Sequence, residues 1–422
     1  MRAILAAALV ACARAATGGE PPAAPPLTLA AAVETALREN PELRSLRDKA
    51  GAMEERPAQE RALPNPMFQY GGMDRSEGGE WPNTGEKRFM LLQEFPGPGK
   101  RDLRERVAAK DAEAMQREVE AMEREVGMKV KESYHDLRAV RRALAIARDE
   151  RDVLRRMEQV AQAMYAAGSR AQKDVLAAQS ESTMLAQKIL ESEAEENTLK
   201  SRLNTLMNLR ADAPLGEAST APADEVRGGA DAWLALAERT RPELKGARAQ
   251  VERYEIERRL MGKEKQPDYR FGVEYRSFAR DDDMVMLIAG VDLPIRRAKY
   301  QAAEREAGKM AESRRSALEA AQRQVADDVW DAQFRLGTAR RSLALYRTQL
   351  IPQAEARFQA SEAGYRAGKT DFLELLESER FLLNVRVMEA MAEGNLGAQL
   401  ARLERAVGTD LEAGAAADGG KP

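Results

Sequence analysis

Tyr269-Arg270-Phe271-Gly272-Val273-Glu274-Tyr275-Arg276 places an apolar side chain at every second position, with a charged residue or glycine between. A period of two gives a strand with one apolar and one polar face. The run lies within residues 268–278, and a second strand is predicted at 284–293 after a short polar turn at 279–283. The same arrangement occurs earlier, with strands predicted at 66–73 and 87–95 around the polar stretch 74–86. Strands of about 8–11 residues suit a tilted crossing of a bilayer. Tyr70, Trp81, Phe95, Tyr275 and Phe278 are candidates for an aromatic girdle at the membrane interface. The competing reading is two soluble hairpins half buried against another element. Lipid does not tolerate the open edges of a four-stranded sheet. If the strands span a bilayer, several chains must share one barrel, and three would give twelve strands.

The two hairpins belong to a larger repeat at a spacing of roughly 200 residues. Asn40-Pro41-Glu42-Leu43 answers Arg241-Pro242-Glu243-Leu244. Asn65-Pro66-Met67-Phe68-Gln69-Tyr70 answers Gln266-Pro267-Asp268-Tyr269-Arg270-Phe271, and Phe95-Pro96-Gly97 answers Leu293-Pro294-Ile295. Tyr165-Ala166-Ala167-Gly168 answers Tyr365-Arg366-Ala367-Gly368, and Asp174-Val175-Leu176 answers Asp371-Phe372-Leu373. The last match leaves three extra residues, 170–172, in the first copy. Each half, 28–209 and 229–408, thus carries a helix, two strands, a very long helix, a glycine turn and a returning helix, with a Pro/Gly/Ala-rich equatorial linker at 210–228.

From about Gly99 to Ala167 there is no proline, and apolar residues keep a spacing of three to four: Met115, Val119, Met122 and Val126, then Leu137, Val140, Leu144 and Ala147 onward. The second long helix spans about 296–366 and contains Pro352, where a kink is expected. At 1.5 Å per residue each is roughly 100 Å long. The segments 28–62, 172–209, 229–262 and 370–408 are each about half that, roughly 50–60 Å, so two stacked pairs match the two long helices. A helical tube below a small barrel is the consistent picture. A coiled-coil scaffold without a pore accounts for the helices but for neither the hairpins nor the leader described next.

Met1-Arg2 followed by residues 3–11, all Ala, Leu, Ile or Val, reads as a signal peptide over 1–15. Two cleavage sites are open: a lipobox at Leu9-Val10-Ala11-Cys12, which would leave Cys12 acylated, and the Ala13-Arg14-Ala15 run. Residues 16–27 then form a flexible leader and 409–422 a flexible tail. After the leader no apolar run approaches 20 residues, so a membrane role has to come from strands. Charged residues make up 32% of the chain, yet 66 Lys plus Arg balance 69 Asp plus Glu, which gives no reason to expect nucleic acid as a partner. One His (His135) and one Cys (Cys12) cannot furnish a His/Cys zinc site or a His-based triad. A carboxylate-only active site stays open in principle, against solvated or salt-bridged helix faces. The 18 Met raise soft-cation ligation, but their seam and strand positions read as packing. His135 reads as a seam or surface residue. No catalytic residue, cofactor or metal site is expected.

Residues 27–43, Leu-Thr-Leu-Ala-Ala-Ala-Val-Glu-Thr-Ala-Leu-Arg-Glu-Asn-Pro-Glu-Leu, resemble the opening of TolC-family outer-membrane efflux proteins. Gln93-Glu94-Phe95-Pro96-Gly97-Pro98-Gly99-Lys100-Arg101 resembles that family's strand-to-helix passage, nearest to its heavy-metal branch. The two Tyr-x-x-Gly turns resemble its paired helical tips, and the likeness covers roughly 28–408. The resemblance implies a mainly α fold with a small β part: a homotrimer with a 12-stranded outer-membrane β-barrel, four strands per chain, over a periplasmic α-barrel of long coiled-coil helices. It implies a passive exit duct, not an enzyme, working with a periplasmic adaptor (membrane fusion) protein and an inner-membrane RND-type pump, with heavy-metal cations as the expected cargo and organic compounds as the alternative. The tips around Tyr165, Gly168, Tyr365 and Gly368 would meet the adaptor, and Asp371 and Glu374 would form an acidic ring at the aperture. Asp371 also reads as a helix N-cap after Lys369-Thr370.

Overall fold

The computed structural model describes residues 27–73, 85–219, 228–278 and 281–411. The leader with Cys12, the loop with Trp81 and the tail beyond 411 lie outside them. Four strands, β1 (Met67–Met73), β2 (Glu86–Phe95), β3 (Asp268–Phe278) and β4 (Met284–Asp292), form one antiparallel sheet in the order β1-β2-β3-β4. Register sorts the side chains. Phe68 faces Leu91, Leu91 faces Val273 and Val273 faces Leu287; Tyr70 faces Phe89, Phe89 faces Tyr275 and Tyr275 faces Val285. Every residue in these two rows is apolar or aromatic, and all are exposed. Arg88, Glu274 and Arg276 lie on the opposite face, where Arg276 bonds Glu274. Aromatics mark both ends of the apolar band: Tyr70, Phe89 and Tyr275 in one row, with ring centroids 5.1 and 6.2 Å apart, and Phe95 beside Phe271 at 5.9 Å near the other end. Phe278 departs from expectation, because it pairs with Glu86 and alternation turns it to the polar face.

Below the sheet, α4 (Lys100–Ala166) runs unbroken for 67 residues. Its counterpart is interrupted: α8 (Arg297–Leu345) passes through a π-helical turn at Tyr346–Leu350 into α9 (Ile351–Arg366). The turn precedes Pro352, whose missing N–H breaks the α pattern, so the expected kink takes the form of one wider turn. Arg347 within it binds Glu389 at 2.7 Å and Glu393 at 2.9 Å.

The returning pieces are α5 (Gln172–Leu206), α6 (Ala230–Thr240) and α7 (Pro242–Lys263) in one stack, and α10 (Phe372–Val407) with α1 (Leu29–Glu39), α2 (Pro41–Glu54) and α3 (Arg56–Arg61) in the other. Lengths of 35, 11 and 22 residues, and of 36, 11, 14 and 6, match the long helices. Segment 28–62 is three helices rather than one and 229–262 is two, because each break falls before a proline: Pro41, Pro57 and Pro242. The repeat appears as equivalent joints. At the first, Asn40 caps α2 through Leu43 N–H (3.1 Å) and donates to Leu206 O at the end of α5 (3.1 Å). At the second, Arg241 lies under Gly408 at the end of α10 and binds Asp328 at 2.7 Å. In the described part of the linker, residues 210–219, Ala218 forms a bridge with Leu27, and the Tyr134 hydroxyl lies 3.0 Å from the carbonyl oxygens of Leu27 and Ser219.

The Phe95-Pro-Gly-Pro-Gly-Lys-Arg101 passage joins sheet to rods. Gly97 N–H donates to Asp268 at 2.6 Å, and a Cβ on Gly97 would lie 2.7 Å from Pro267 O. Gly99 takes φ +80°, open to glycine at no cost. Lys100, 1% exposed, binds Asp268 at 2.9 Å and Glu264 at 3.2 Å. The first repeat's passage is thereby fastened to Gln266-Pro267-Asp268 of the second repeat, the counterpart of Asn65-Pro66-Met67.

Candidate functional site at the helical tips

At the end farthest from the sheet, α4 turns into α5 and α9 into α10. Both turns close in the same way. Gly168 (φ +69°) and Gly368 (φ +72°) hold the left-handed residue, while Ser169 N–H reaches back to Met164 O at 3.0 Å and Lys369 N–H to Gly364 O at 2.8 Å. This is the six-to-one closure of a glycine-terminated helix. Counting from the glycine corrects the sequence alignment. Ala171 and Asp371, each three residues on, are the N-cap positions of α5 and α10. The turns are equal in length, no residues are inserted, and Asp174 corresponds to Glu374 rather than to Asp371.

The equal backbones carry unequal side chains. Tyr165 is 46% exposed, whereas Tyr365 is 3% exposed and packs on Phe372 at 5.4 Å between ring centroids. The Arg170 guanidinium, from the other tip, lies 5.0 Å from the Tyr365 ring centroid, and Lys173 reaches Asp371 at 3.5 Å. The first tip thus lends two cations to the second. Burial pushes the Tyr365 hydroxyl up, with Asp174 adding to it and Arg170 opposing. Asp371 accepts from Phe372 N–H at 2.8 Å and stays half exposed, so it acts as a cap while presenting charge. Glu374 is exposed one turn further, and its counterpart Asp174 is buried.

Above the tips the seam holds acids that sequence reasoning passed over. Glu150 of α4 and Glu379 of α10 are buried and face each other, and Arg380 binds Glu181 of α5 at 3.0 Å. The signal was available: Phe372, Leu375, Leu376, Leu382 and Val385 mark a seam, and Glu379 falls on it. His135 also lies in a seam, wedged under Gly394 and Gly397 of α10. Burial, then Arg138 and Lys131, pull its imidazole down to about 4. Among the described residues there is no His/Cys/Asp/Glu group able to hold a metal ion and no helix long and apolar enough to cross a membrane.

A sheet with one exposed apolar face, on rods that end in paired turns, defines an outer-membrane channel of TolC-like fold. Residues 233–409 match the family described as outer membrane efflux protein. The chain is 25% identical over 381 residues, 86% of each chain, to the cobalt-zinc-cadmium resistance protein CzcC of Cupriavidus metallidurans. Its fold is similar to CusC (TM-score 0.79, 16% identity, 90% of this chain and 92% of that one). It is also similar to the outer membrane protein VceC of Vibrio cholerae (TM-score 0.76, 15% identity, 91% and 97%). The protein is an outer-membrane efflux channel, with its strands in the outer membrane and its helices forming a periplasmic tunnel.

Proposed function

We propose that three copies of the chain form one exit duct for heavy-metal cations, fed by a periplasmic adaptor and an RND-type inner-membrane pump. The observation that carries the cargo is the likeness, over 86% of both chains, to a protein named for cobalt, zinc and cadmium resistance. Assembly of several chains is supported by the edges of the sheet: among the described residues β1 and β4 each have one neighbour, and a lipid-facing edge needs a partner. Tyr165, Gly168, Tyr365 and Gly368 are the docking tips for the adaptor, and Asp371 with Glu374 supplies the charge at the aperture. A threefold ring of such acids raises the local concentration of cations.

The test is a deletion of the gene in its own host, followed by growth on graded cobalt, zinc and cadmium and on a panel of organic toxicants. Loss of metal tolerance, restored by the gene in trans, is expected. Loss of tolerance to organic compounds alone would redirect the cargo.

A further inference from the structure

Glu150 and Glu379 are 5% and 2% exposed and face each other across the α4–α10 seam. Two ionised carboxylates can only accept hydrogen bonds and repel each other, so a buried pair is satisfied best when one of them carries a proton. Among the described residues no ion pair to either carboxyl is found that would take the proton's place. Arg380 is held by Glu181 of α5, and Arg386 by Glu355 of α9 at 2.9 Å. Glu150 Oε1 has no hydrogen-bond partner among the described residues. The charged groups facing Glu379 are Glu150 from α4, Glu181 from α5 and Arg386 on its own helix. Two of the three are acids, so the site favours a neutral carboxyl.

We propose that Glu150 and Glu379 form a proton-binding site that latches α4 to α10, and that release of the proton loosens the tip hairpins. Burial pushes Glu379 up to about 10, and the neighbouring Glu150 carboxyl, then the charge of Glu181, act in the same direction. The sign follows. A carboxyl raised above its usual 4.5 stabilises the fold fully below that value, and this contribution is lost as pH rises toward about 10. Like charges then face each other in a dry seam. Glu150 lies 16 residues before the end of α4, about 24 Å from the turn at 1.5 Å per residue. The latch therefore sits where α4, α5 and α10 converge above the aperture. Its effect on conductance relies on the duct reading; the proton itself does not.

The experiment uses the full-length protein in lipid. Infrared spectroscopy at pH 7 is expected to show the carbonyl stretch of a buried, protonated carboxylic acid, absent in Glu379→Gln and shifted in Glu150→Gln. Absence of that band in the wild type, or its persistence in Glu379→Gln, overturns the site. In planar bilayers the wild-type conductance is expected to rise with pH, and Glu379→Gln, permanently neutral, to lose the rise and stay at the low-pH level. Identical pH profiles overturn the latch. A membrane that stays silent with both proteins counts against the duct, and the infrared band still decides the proton.

Discussion

His135 fills a saddle that two glycines of α10 leave open, and a methyl group there has nowhere to go. A Cβ on Gly397 would lie 2.5 Å from carbon atoms of the imidazole, and one on Gly394 2.9 Å from His135 O. Gly397→Ala is expected to cost about 1–3 kcal/mol, the usual range for overpacking. Most of this should return in the double variant with His135→Ala; thermal denaturation of the four proteins of the cycle measures it. The imidazole also makes a pH prediction. Held at about 4 against an ordinary 6.5, it is neutral in the fold, so the stability it permits is present above 6.5 and declines as pH falls toward 4. His135→Gln should flatten that part of the profile of melting temperature against pH. At the tip, replacing Asp371 and Glu374 together by Ala should reduce the preference for cations over anions, read as the reversal potential in a salt gradient. An unchanged potential would remove both residues from the aperture.

The joint between sheet and rods is held chiefly by Lys100. Lys100→Ala leaves Asp268 and Glu264 without their shared cation. Breaking a fully buried pair costs about 3–5 kcal/mol, and about 2–3 is expected here because both acids keep a quarter of their side-chain exposure. A lowered denaturant midpoint with unchanged slope would show it. This joint was partly legible in sequence: the glycines of the passage announced a sharp turn, but nothing in them named Asp268, 168 residues away, as the partner of Lys100. Strand alternation and unbroken helical spacing locate elements well because both are local. The tip register was misread for a related reason. Matching Asp-x-Leu aligned Asp174 with Asp371, whereas the physical constraint is the distance from the left-handed glycine to the N-cap. The prolines at 41, 57 and 242 are local signals of the joints that the segment lengths 28–62 and 229–262 passed over, while Pro352 announced the break at 346–350 but not its form as a π turn. The Glu150–Glu379 contact joins residues far apart in the chain and could be suspected only from an acid on an apolar seam.

Across the whole molecule, rods of equal length, a sheet with two unsatisfied edges and paired tips at the far end point to a part of a ring. β4 leads into α8 and β1 follows α3, so the open edges of the sheet continue into the flanks of the helical layer. A head-to-tail ring would cover both edges at once, and a closed ring leaves a channel along its axis. The most direct test is single-channel recording of the purified, full-length protein in a planar lipid bilayer. Discrete, long-lived conductance steps are predicted, with no requirement for an energy source. A bilayer that stays electrically silent across the whole range of pH and voltage would contradict the account.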